Sequence, residues 1–190
     1  LTLSPDFSFF KTAPVINAKT GKSYTLEKIT TAVGDEQTLV DLVQICNEPV
    51  IYEFMFRERC KGAPYVITQA RTFIDWALKG WEEKAYFVFV VRDAEGRLAA
   101  AIDIRSNDLA AAELGYWASA AHSGIMTPTV EAMSGIASQA GYAALFAYVR
   151  PDNERSRQVL LKSGFIQEAG IVMRHDLHHD SPRHYFKKTL

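Results

Sequence analysis

A chain of 190 residues, 48% hydrophobic and 23% charged, can bury the core of one large domain. Its 21 basic and 22 acidic side chains nearly cancel, to a formal charge of -1, so no global field exists to grip nucleic acid and a polyanionic ligand must be held locally. Two cysteines, Cys46 and Cys60, are too few for a disulfide framework and lack zinc-finger spacing, while no apolar run reaches the roughly 18 residues of a membrane span.

Leu1–Phe10 lack the basic-then-apolar order of a secretory signal, so a soluble, cytoplasmic protein is expected. An irregular lead-in to residue 21 contains Pro5 and Pro14; Lys22–Thr31 then alternates weakly and predicts a first strand. Gly34-Asp35 opens a helix with Leu39, Leu42, Val43 and Cys46 at helical spacing, ending near Asn47-Glu48-Pro49 because proline disfavours helix in the residue before it. Cys46 falls on the apolar face and reads as an inert buried thiol. A short helix over Ile51–Phe56 and a third over Thr68–Lys79 complete a helical front half. Trp76, Trp81, Phe54 and Phe56 read as core or as the wall of a ligand pocket.

From Tyr86 the period changes. Tyr86–Val91 is a buried-strand run, Asp93–Gly96 a hairpin turn, Leu98–Ile104 the returning strand and Ala111–Ala118 a third. Gly124–Ala140 carries a helical apolar stripe stopped by Gly141. Tyr142–Val149 returns as a strand, and Asn153–Ser163 is a short helix with Gly164 at the left-handed position beyond its end. Strands over Phe165–Arg174 and Arg183–Lys188 close the chain, with Asp176–Ser181 a loop between them. His175, His178, His179 and His184 read as solvated loop histidines or as substrate contacts; no metal-ligand spacing is evident. The order implies one domain of α/β (α+β) class, a mixed, mostly antiparallel sheet with helices on both faces and one parallel crossover.

Two segments stand out. In the first, the strand Glu113-Leu114-Gly115-Tyr116-Trp117 feeds a helix through small residues, Ala118 to Met126. Such a turn is often only structural, but its free N–H groups and the helix dipole can also cradle a pyrophosphate. The second, Arg150-Pro151-Asp152-Asn153-Glu154-Arg155-Ser156 to Lys162-Ser163-Gly164-Phe165, reads as a capped helix. Capping alone does not require Asn153, Ser156, Lys162, Gly164 and Phe165 together.

The pattern Asn-x-x-Ser-x-x-Val-Leu-x-Lys-x-Gly-Phe between two strands resembles the second conserved block of the GNAT (Gcn5-related N-acetyltransferase) superfamily, particularly its ribosomal-protein N-terminal branch. The Gly-Tyr-Trp strand resembles the first block, and the likeness covers about Tyr86–Lys188, with the helical front half on the acceptor side. The resemblance implies transfer of an acetyl group from acetyl-CoA to a primary amine, on a protein N-terminus or a small molecule, by a monomer or homodimer without a metal. It implies a splayed strand pair forming a pantetheine slot beside Tyr116 and Trp117. It further implies that the amides of Ala121, His122, Ser123, Gly124, Ile125 and Met126 hold the pyrophosphate, Asn153 bonds the pantetheine or acetyl region, and Ser156 lies near the sulfur.

One departure stands against the family pattern. Its phosphate loop reads Arg or Gln, x, x, Gly, x, Gly or Ala, where this chain has Ala121-His122-Ser123-Gly124-Ile125-Met126 and is about two residues shorter after Trp117. Weakened but retained coenzyme A binding is expected, and a GNAT-fold binding or regulatory protein is the alternative. For catalysis, Glu113 is the candidate base, against an ordinary exposed carboxylate. Ser156 is the candidate donor to the thiolate, against a simple first-turn cap, because the tyrosine used farther along this helix in many relatives is Leu160 here.

Overall fold

The computed structural model describes residues 4–30, 35–175 and 180–190. Thr31, at the end of the expected first strand, Gly34 at the expected first helix start, residues 176–179 of the expected loop, and with them His178 and His179, lie outside the described residues.

The lead-in is not irregular throughout. Thr12–Ile16 is a strand, β1, paired antiparallel with β2, Ser23–Lys28. Pro14 is tolerated because β1 is an edge strand, where a missing N–H breaks no inner ladder. The turn between them is built by Asn17, whose Oδ1 accepts from the amides of Lys19 (2.9 Å) and Thr20 (3.1 Å). Before it, Phe7 and Phe10 are buried. Burying each contributes about 1.5–3 kcal/mol, enough to order a segment of poor propensity.

Helix α1, Glu36–Cys46, is capped by Asp35, whose Oδ1 accepts from Thr38 N at 2.8 Å. A single turn, α2 (Pro49–Ile51), runs into a wider π-type turn, Tyr52–Phe56, closed by Arg57 N to Tyr52 O at 2.8 Å. Helix α3 spans Ile67–Glu83. The meander follows: β3 (Phe87–Arg92), β4 (Leu98–Ile104) and β5 (Ala112–Ala118), all antiparallel neighbours. Helix α4 (Met126–Gln139) crosses to β6 (Ala144–Val149), and α5 (Glu154–Lys162) leads to β7 (Ile166–Gln167), β8 (Val172–His175) and β9 (Asp180–Thr189).

The sheet order is β1-β2-β3-β4-β5-β6-β9-β7, with β8 also on β9, and among the described residues only β5 and β6 are parallel. β3 and β4, at the centre, are buried almost throughout, and the core divides by sheet face. One side packs Phe7, Phe89, Leu114, Met133 and Leu160 beneath α4 and α5; the other packs Leu42, Ile45, Ile74, Val90 and Trp117 beneath α1 and α3.

Several expected boundaries move. Helix α4 starts at Met126 rather than Gly124, because Ala120–His122 close a 3₁₀ turn and Gly124 lies at φ +107, outside helical geometry. The strand expected over Phe165–Arg174 splits into β7 and β8 around Gly170, φ +90. Asp180 and Ser181, expected in a loop, belong to β9.

Candidate functional site

Strand β5 pairs with β4 from Leu114 to Ala118, but with β6 only at Ala112↔Leu145 and Glu113↔Phe146. Beyond Glu113 the parallel strands part. The backbone edges facing the gap lose the sheet as a hydrogen-bond partner and need another. The gap opens into a cleft of about 640 Å³, walled by β5, β6, the turn after β5, the start of α5 and the Val50–Met55 segment. Among the described residues, seven Lys or Arg side chains line it against one carboxylate, Glu113. In a chain of formal charge -1 this is the local cationic site that a polyanion requires.

The structure brings Glu113, Tyr116, Trp117, His122, Ser123, Gly124, Met126, Asn153 and Ser156 to this one cleft. Ala121 and Ile125 are not among its lining residues: Ala121 is exposed, while Ile125 is fully buried in the core.

The shortened loop folds onto itself. Ala121 N donates to Ser119 Oγ (3.3 Å), His122 N to Ser119 O (3.0 Å), Ser123 N to Ala120 O (3.2 Å) and Ile125 N to His122 O (3.3 Å). Glu48 closes it further, accepting from Ser119 Oγ at 2.5 Å and Ala120 N at 2.7 Å. Four of the six expected donors are therefore engaged. Among the described residues, the amides of Gly124, Met126 and Thr127 meet no protein acceptor, at the positive end of a 14-residue helix.

Gly124 serves packing. Its φ of +107 disfavours a side chain, and a Cβ there would lie 2.5 Å from Asn17 Oδ1. The β1–β2 turn holds the loop through Asn17 Nδ2 to Ser123 O (3.2 Å), Ala18 N to Gly124 O (3.1 Å) and Lys19 Nζ to Ser123 Oγ (2.7 Å). His122 is fixed from the same side by the Tyr24 hydroxyl at 3.0 Å from Nδ1. Lys19 thus lines the cleft beside the three open amides. The sequence held only a faint sign of it, an Asn17–Gly21 turn that reads as a surface hairpin.

On the other wall, Asn153 caps α5, its Oδ1 accepting from Ser156 N at 3.1 Å. Its Nδ2 protons are unclaimed among the described residues. Tyr116 reaches across from β5: its hydroxyl lies 2.8 Å from Ser156 Oγ and donates to Ser156 O at 3.1 Å. Burial pushes the Tyr116 phenol well above its usual range, so it stays protonated. Leu160, at the place of the relatives' helix tyrosine, is wholly buried in the core.

Glu113 is not a free carboxylate. Its Oε1 accepts from Arg105 Nη1 and Arg174 Nη1, both at 2.7 Å, and Arg105 Nε also bonds Asp103 Oδ2 at 2.8 Å. Burial penalises the Arg105 guanidinium, but the charge of Asp103 foremost, with that of Glu113, outweighs it and raises its pKa further. Arg174 stacks over Tyr148, 5.0 Å from the ring centre.

Cys46 is buried, and desolvation pushes its thiol up to about 12. Phe54 lines the cleft and lies beneath the Arg150 guanidinium, 5.0 Å away; Trp81 is fixed in the fold, its Nε1 donating to Val88 O at 2.8 Å. His184 Nδ1 faces Gln167 Nε2 at 3.2 Å. Among the described residues, no three His, Cys, Asp or Glu side chains are placed to hold a metal ion, and no helix is long and apolar enough to cross a membrane.

The family model of the acetyltransferase (GNAT) domain matches residues 28–166. No curated protein matches the chain by sequence. Among solved structures, a Vibrio cholerae protein assigned as a ribosomal-protein-serine acetyltransferase superposes with a TM-score of 0.74 at 18% identity, covering 98% of this chain and 99% of that one. Mycobacterium smegmatis RimJ, in complex with a CoA-disulfide, gives 0.68 at 19%, covering 94% and 86%. RimL, a ribosomal L7/L12 alpha-N-protein acetyltransferase in complex with coenzyme A, gives 0.71 at 14%, covering 94% and 98%. At these identities the structural likeness is one of fold.

Proposed function

We propose that this chain, which belongs to the GNAT acetyltransferase family, holds acetyl-CoA in the gap between β5 and β6 and passes the acetyl group to a primary amine presented from the α1–α3 side of the sheet. The parting of the two strands after Glu113 carries this reading, because it leaves an extended donor a row of backbone partners and a cleft that ends at Asn153 and Ser156.

The residues fit that donor. Gly124, Met126 and Thr127 offer amides for a phosphate, and Lys19 supplies the cation that Ala121 lacks. Arg155 and Lys162, two turns apart on α5, line the same cleft and add positive charge. With three loop amides rather than six, side-chain cations carry more of the anion binding. Affinity should therefore depend strongly on salt.

Acyl transfer forms a carbon–nitrogen bond, breaks the thioester carbon–sulfur bond, removes a proton from the amine and returns one to the thiolate. An α-amine, with a reference pKa of roughly 7.7–8.0, already has a neutral fraction near pH 7. Tyr116 and Ser156 act on the departing sulfur as one proton-donating pair: the phenol, protonated at rest, hands its proton to Ser156 Oγ as the serine hydroxyl gives its own to the thiolate, and solvent then reprotonates the phenol. Asn153 Nδ2 orients the acyl arm. Glu113 fixes Arg105 and Arg174 at the acceptor end, and the amine proton leaves to solvent or through a water. The acceptor is a protein N-terminus or a small amine, and the protein works in the cytoplasm.

Calorimetric titration with acetyl-CoA, followed by thiol release across a panel of amines, tests this. Binding with acceptor-dependent thiol release is expected. Absence of binding would overturn it, and binding without turnover on any amine would leave a regulatory GNAT-fold protein.

A further inference from the structure

A second cavity, of about 450 Å³, lies under α1, α3 and the π-type turn. It shares Met55, Arg105 and Trp117 with the donor cleft, so the two spaces adjoin along the α1–α3 face of β5. Its size suits a small ligand rather than a polypeptide segment. Phe56, Tyr65, Phe73, Trp76 and Trp117 supply five aromatic walls, with Phe56 and Tyr65 4.7 Å apart between ring centres and Phe73 and Trp117 6.4 Å apart. Walls of this kind favour a flat ring, which gains edge and face contacts that a flexible chain cannot make.

The inner end of the cavity is polar. Asp103 is buried in its lining, and only its Oδ2 is used by Arg105; Oδ1 accepts from no donor among the described residues. Gly115, paired with Asp103 across the sheet, makes this possible, since a Cβ there would fall on Asp103 Oδ1 and Arg105 Nη2. Gly115 is also a wall of the donor cleft, next to Tyr116. An amine on Asp103 Oδ1 therefore stands at the junction of the two spaces. Arg59 and Arg105 also line the cavity and disfavour a ligand bearing a second positive charge.

We propose that this cavity is the acceptor site and selects a primary amine with an aromatic ring a few bonds from the nitrogen, the ring packed against the wall formed by Phe73 and Trp117 and the amine on Asp103 Oδ1. The inference rests on the acetyl-donor reading of the β5–β6 gap. Such an amine is either a free arylalkylamine or the α-amine of an N-terminal aromatic residue.

The test uses the full chain with acetyl-CoA and follows thiol release on tryptamine, tryptophanyl-glycine, spermidine and a serine-initiated peptide. At least one aromatic acceptor is expected to exceed spermidine and the serine peptide about tenfold or more in kcat/KM; tryptamine alone identifies a free amine, the dipeptide alone an N-terminal residue. If acetyl-CoA binds but the non-aromatic acceptors equal or exceed both aromatic ones, the cavity assignment is overturned and the donor reading survives. If acetyl-CoA does not bind, both fall. Thr72→Trp, from the exposed face of α3 into the cavity mouth, should raise KM for the aromatic acceptor about tenfold with the acetyl-CoA Kd unchanged. Asp103→Asn should raise the same KM with the acetyl-CoA Kd unchanged. An unaltered KM in both variants overturns the proposal.

Discussion

Tyr116 and Ser156 divide one proton-donating task between a strand and a helix, and each hydroxyl can be removed while the Tyr116 ring stays packed against the core. Tyr116→Phe keeps the ring and should lower kcat about 10²-fold, the lower range for loss of an acid catalyst, with the acetyl-CoA Kd little changed. Ser156→Ala should act in the same direction, and the double variant should cost less than the product of the two, because the pair shares a hydrogen bond. Single-turnover thiol release checks both. Lys19 belongs to binding rather than chemistry: Lys19→Ala should raise the acetyl-CoA Kd about fivefold at low salt and less at high salt, where the charge is screened. Calorimetry at two ionic strengths reads that difference. Asn153 and Ser156 were legible because cap and motif coincide on one helix. Lys19 and Asp103 were not, since each reaches its site from a strand or turn distant in sequence.

The loop between β5 and α4 shows how an element can be shortened without losing its place. Ala120–His122 tighten into a 3₁₀ turn, Glu48 takes two loop hydrogen bonds, and the β1–β2 turn holds Ser123 and Gly124 from outside. Gly124→Ala should be destabilising by about 1–2 kcal/mol, from the positive φ and the approach to Asn17. Because the same shift would move the open amides, the acetyl-CoA Kd should rise as well, measured beside the melting temperature. Helices α1, α3 and α5 could be read from the sequence because their apolar stripes and caps are local. β1 could not: its only buried side chain is Val15, and its pairing with β2 is decided by what lies beneath it, including Phe7 and Phe10.

Across the whole molecule, a salt bridge ties the helical front half to the sheet. Asp41 of α1 is buried and accepts from Arg97 Nε (2.8 Å), Leu98 N (2.9 Å) and Gln37 (3.0 Å). Burial pushes its carboxyl up, but these hydrogen bonds outweigh it and hold the pKa below the usual value. A pKa lowered on folding gives stability that is complete above the unfolded value, near 4, and is lost as pH falls through the folded value. Denaturant melts should show stability falling below about pH 4, and Asp41→Asn should lose about 2 kcal/mol at pH 7 while flattening that acid limb. The order of elements from α1 to α5, the mostly antiparallel sheet and the Asn153–Phe165 block followed from the sequence alone, because periodicity, caps and turn residues act over a few positions. The count of free loop amides, the cation that replaces Ala121, the engagement of Glu113 by two arginines and the cavity beside Asp103 were settled only by tertiary structure. Each depends on which distant segments meet, and burial energy rather than local preference selects those meetings.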